Sequence, residues 1–161
     1  MTFSRKLLIF GGFALAVWGM GYGIWYAGFI EHQTLDGLGA ALATGFMRAA
    51  ENRLAESQAA LAEAASWSFV YVRQVDAHGH WIGLGLLLLI LGIAFDRVGF
   101  SDRVRAYLAI TLLAGATIFP LGVLLETWNR SAVPQVLAVI GSALVIIGLS
   151  GTAWGFARNS E

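Results

Sequence analysis

Residues 77–95 read AHGHWIGLGLLLLILGIAF. No Asp, Glu, Lys or Arg interrupts them, and Leu86 through Leu91 form an unbroken aliphatic run. As a helix rising about 1.5 Å per residue, this stretch reaches roughly 28 Å, close to the ~30 Å hydrocarbon thickness of a bilayer. Asp76 precedes it and Asp96-Arg97 stop it, so its uncharged length matches one crossing.

Three further stretches read the same way. Residues 7–30 follow Arg5-Lys6, residues 106–125 lie between Arg105 and Glu126, and residues 132–156 lie between Arg130 and Arg158. Composition agrees with four crossings. Apolar residues make up 58% of the 161-residue chain and charged residues 12%, against about 45–50% and about 25% in soluble domains. The mean hydropathy is +0.71. A water-facing surface of this size needs more charge than that, whereas a lipid-facing one does not. The expectation is a single all-α integral membrane domain over residues 1–161, with four transmembrane helices in a bundle. The bilayer is its first partner.

The amino terminus resembles a secretory leader, because Arg5 and Lys6 precede an apolar run. That run exceeds the 7–15 residues of a leader's core and no small-x-small site closes it, so it is expected to be retained. Trp25 and Tyr26 near its end are expected at headgroup level.

Residues 31–76 are the one sizeable polar region, alanine-rich and carrying Arg48, Glu51, Arg53, Glu56 and Glu63. Leu35, Leu38, Leu42, Phe46, Leu54 and Leu61 recur largely at helical spacing. A charge at the bilayer centre costs about 2.5–3.5 kcal/mol. The region is therefore expected to lie outside the membrane as one amphipathic helix or a helical hairpin. A fifth span over residues 35–50 is the alternative. With the amino terminus inside, Arg5, Lys6, Arg97, Arg103, Arg105 and Arg158 fall on the inner side. Residues 31–76 and most of the acids fall on the outer side, and the positive-inside rule places both termini in the cytoplasm of a cell or inner membrane.

Several function classes are set aside. Ten Lys and Arg balance ten Asp and Glu, with no basic run to attract nucleic acid. The absence of cysteine removes thiolate chemistry and disulfides. No ionisable side chain falls near the middle of a span, where pumps and ion pathways carry theirs. Glycines recur instead: Gly12, Gly19 and Gly23 in the first span, and Gly141, Gly148, Gly151 and Gly155 in the fourth. They suit close helix contact, either within the bundle or with another chain. Pro120 removes a backbone donor from the third span and is expected to bend it.

One constellation has candidate chemistry. His32 and Asp36 are four apart, as are Asp76 and His80, and both pairs border the same membrane face. Residues four apart share a helix face. Convergence of His32, Asp36, Asp76 and His80 offers a two-imidazole, two-carboxylate set suited to zinc, copper or iron, with Glu31, His78 and Glu126 as outer partners. Haem held by two histidines is a weaker variant, because the third and fourth spans contain none. Asp76-x-x-x-His80 resembles part of the copper site in a membrane subunit of particulate methane monooxygenase, over those two residues alone, and the resemblance implies copper. The competing reading gives the histidines an interfacial role and makes Asp36 and Asp76 acids at helix starts. Function is expected to be that of a non-catalytic subunit, scaffold or accessory of a larger membrane complex. Its other partners would then be further membrane chains or copies of itself. A membrane metalloprotein is the alternative.

Overall fold

The register between helices organises the architecture. A computed structural model describes residues 1–158 in five helices: α1 (Phe3–Phe29), α2 (Glu31–Ala50), α3 (Leu54–Ala94), α4 (Asp102–Leu125) and α5 (Ala132–Arg158). A short 3₁₀ turn, Phe95–Arg97, follows α3. Four of the helices (α1, α3 with its 3₁₀ turn, α4 and α5) are long and apolar enough to cross a membrane. The polar α2 is not among them.

α1 and α3 run antiparallel at close range. A Cβ on Gly12 would sit 2.6 Å from the Gly85 carbonyl oxygen, and one on Gly92 would sit 3.1 Å from the Ile9 amide nitrogen. Going up the pair, Gly19 meets Trp81 and Gly23 meets His78. The same register continues into α2, where Gly37 lies against Trp67 and Gly45 against Leu61. The joint at Ile30 barely interrupts the chain: its N–H still donates to Tyr26 O at 2.9 Å, and the Thr34 hydroxyl donates to Ile30 O at 3.2 Å. α1 and α2 together thus form one arm of a continuous hairpin whose other arm is the 41-residue α3.

Residues 31–76 accordingly do not form a separate amphipathic element. They are the upper half of a hairpin whose lower half is apolar. The helix containing residues 77–94 begins at Leu54, so Asp76 lies inside a helix rather than at its start. Asp36 likewise falls beyond the first turn of α2, a position held by Glu31. Tyr26 is buried at 2% exposure, whereas Trp25 beside it is exposed.

At the tip, residues 51–53 reverse the chain with Asn52 at φ 57, a left-handed conformation that asparagine tolerates well. Arg48 and Arg53 interlock there with Glu51 and Glu56, the closest pair being Arg53–Glu56 at 2.5 Å.

α4 and α5 make a second antiparallel hairpin on the same physical basis. Gly115 abuts Val145, Gly122 abuts Ala138, Gly141 abuts Phe119 and Gly148 abuts Leu112. The glycine faces noted in the sequence are therefore spent within the chain. α4 links the two hairpins: it touches α1, α3 and α5, whereas α5 packs principally on α4. The helix runs through Pro120, which is itself buried. The bundle is thus a row of contacts built on α4, with Val136, Val139, Ile146, Ile147 and Trp154 of α5 left exposed. Such a surface suits hydrocarbon and not water.

Candidate functional site

At one end of the membrane-length helices, Asp96 gathers three segments. The Thr2 hydroxyl and an Arg5 guanidinium N–H donate to its carboxylate at 2.6 and 3.0 Å, and Arg105 donates to its carbonyl at 2.8 Å. Thr2 and Arg5 hold this carboxyl below its ordinary range. Arg158 lies over the Phe100 ring, 5.4 Å from its centroid.

At the other end, the loop between α4 and α5 grips α3. Arg73 reaches Glu126 at 2.8 Å, and Arg130 donates to Ser66 at 2.7 Å. Phe69 lies between the two arginines, 5.1 and 4.6 Å from their guanidinium carbons. These contacts form a collar around α3 where the hairpin rises past α4 and α5. Glu126, expected as an outer partner of a metal site, is a buried carboxylate paired with the partly exposed Arg73.

The expected ligands do not come together. Among the described residues, no group of three or more His, Asp or Glu side chains is placed to hold a metal ion. His32 and Asp36 are exposed on α2. Asp76 lies 3.8 Å from Arg73. His80 does not bond the Asp76 carboxylate: its Nδ1 lies 2.6 Å from the Asp76 backbone carbonyl, and its ring meets Phe119 edge-on at 4.8 Å. His78 is arranged alike, with Nδ1 3.0 Å from Gln74 O and its ring against Gly23. A carbonyl only accepts, so Nδ1 carries the proton in both rings. Helical spacing i, i+4 predicts a shared face, but the nearer acceptor at that spacing is the backbone carbonyl. The two-residue likeness to a copper site gains no further ligand.

Sequence reading missed an aromatic groove. Tyr22 and Trp81 meet edge-on at 5.8 Å, and Trp18 and Trp81 at 6.3 Å. Together with Leu113, Leu121 and Trp128 they line a cleft of about 840 Å³ between α1 and α4. The Tyr22 hydroxyl leaves the apolar wall to bond the buried Gln74 side chain. Trp18, Tyr22 and Trp81 were visible in the sequence, but aromatic residues in a span carry no information about which helix they face. The cleft holds no nucleophile–base pair. Its chemistry is that of an acyl-chain-sized apolar recess.

No protein-family model matches the chain, and no curated protein or solved structure does either.

Proposed function

We propose that this chain is a non-catalytic integral membrane subunit that presents a helical stalk for assembly. One observation carries the reading: the hairpin of α1, α2 and α3 keeps a single register over the 41 residues of α3, about 60 Å. That is twice the hydrocarbon thickness of a bilayer, so a membrane holding α4 and α5 leaves the far half projecting. Its tip carries Arg48, Glu51, Arg53 and Glu56, a set that belongs in water. The collar at Phe69, Arg73 and Glu126 marks the emergence level.

The opposite end displays Arg5, Lys6, Arg97, Arg103, Arg105 and Arg158 around Asp96 and Asp102, which supports a cytoplasmic assignment for both termini and an outer position for the stalk. A long helical rod with alanine-rich flanks suits docking to other helices rather than chemistry. Native mass spectrometry of the full chain in nanodiscs tests the proposal. A stable multi-chain species is expected, and a strictly monomeric, partner-free protein overturns it.

A further inference from the structure

One face of α3 packs on α1 and α2, through Ser57, Ala60, Ala64, Ala77, Trp81 and Leu88, all buried. A second face is left largely open, Leu61 alone on it also reaching Gly45 of α2. In its upper half the exposed positions are Leu54, Gln58, Leu61, Ala65, Ser68 and Val72; in its lower half they are Val75, Gly79, Gly83, Leu86, Ile90 and Ile93. Steps of four and three alternate along this line, except for two consecutive fours at Val75–Gly79–Gly83. A seam repeating about every 3.5 residues is the pattern by which helices wind around one another.

No member of the seam is charged. Glu56 and Glu63 stand on α3 but off the seam. Lipid covers such a surface below the collar. Above it, Leu54 at 65% exposure and Leu61 at 42% face water, and a two-helix stalk has no further element with which to bury them. The exposed face of α2 is a poorer continuation, because His32 and Asp36 interrupt it.

We infer that this seam of α3 is the interface with a second copy of the same chain, the two α3 helices running parallel. The inference rests on the stalk reading above and names its partner. Three arguments select a second copy. A membrane sets every copy at one height and in one direction, so each seam residue faces its own counterpart across a two-fold axis. An uncharged seam meets itself without like-charge repulsion. A strip roughly 60 Å long and about 10 Å wide covers on the order of 600 Å² per copy, or about 1,200 Å² in total, which reaches the size of stable interfaces. Gly79 and Gly83, where an added Cβ would meet nothing within 4 Å, give a GxxxG point of close approach at mid-seam.

The lack of cysteine makes the test direct. Full-length Ala65→Cys, Val72→Cys and Glu63→Cys variants are reconstituted at high lipid excess in phosphatidylcholine/phosphatidylglycerol vesicles and mildly oxidised. A disulfide needs Cβ atoms about 3.5–4.5 Å apart, so the two seam variants should yield roughly tenfold more covalent dimer than Glu63→Cys. Equal yields at all three positions, or no dimer at any, overturn the inference. If a different subunit co-purifies while the seam fails to cross-link, this inference falls and the stalk reading stands. If native mass spectrometry also finds only monomer, both fall.

Discussion

Glu126 is the only charged side chain among the described residues that is buried, and it survives there because Arg73 reaches it at 2.8 Å. Burial makes the pair asymmetric. Arg73 is about one-third exposed (34%) whereas Glu126 keeps only 9% of its side-chain surface. Removing the arginine therefore strands the deeper charge. Arg73→Leu should destabilise the protein by about 2–3 kcal/mol and Glu126→Gln by about 1 kcal/mol, the amide retaining a hydrogen-bonding group. Thermal unfolding in detergent checks the order, and the reverse order would show that Arg73 is the costlier group to leave alone. Asp96 makes a pH prediction. Its folded pKa is depressed by Thr2 and Arg5, so its stabilising effect is complete above the ordinary carboxylate pKa of about 4 and is lost as pH falls through the lower folded value. The melting-temperature gap between wild type and Asp96→Asn should stay constant from neutral pH to about 5 and narrow below about 4. These residue-level roles were not readable in the sequence. Spacing paired Asp76 with His80, but the nearest acceptor of a helical histidine proved to be a carbonyl one turn back, and the partner of Glu126 came from residue 73, far away in the chain.

Helix pairs in this fold are set by where glycine removes a side chain. Between α1 and α3, Gly12 and Gly85 each place a carbonyl where the other's Cβ would be, at 2.6 Å in both directions. Neither backbone can yield without separating the helices. Gly12→Ala should thus cost about 1–3 kcal/mol through overpacking, despite alanine's better helix propensity. Gly21 on the same helix has nothing within 4 Å, so Gly21→Ala should be neutral or stabilise by up to about 1 kcal/mol. Detergent melting of the two variants side by side measures the contrast, and equal shifts would mean that α1 and α3 approach less closely than described. The existence of these glycine faces was plain in the sequence. Their partners were not, because any two small-residue faces are interchangeable until register is known.

For the molecule as a whole, the proposed function divides one hairpin between two solvents. Cysteine introduced at Glu56, near the tip, should react with a membrane-impermeant maleimide added outside intact cells. Cysteine at Arg103 should react only after the inner face is opened. Reaction of both from one side would remove the proposed topology, whatever the oligomeric state.

Four helices of membrane length followed from local chemistry: long uncharged runs bounded by ionised residues admit few other structures, since each charge at the bilayer centre costs several times thermal energy. The polar character of residues 31–76 was equally local. Their architecture was not. That α2 continues the line of α1, that α3 runs unbroken from Leu54 to Ala94, and that a collar of Arg73, Glu126 and Arg130 braces it depend on contacts between residues distant in the chain. Hydropathy reports the solvent a segment prefers and carries no information about which neighbour a helix lies against, so packing alone joined the expected helical excursion to α1 and to the apolar part of α3 as one hairpin.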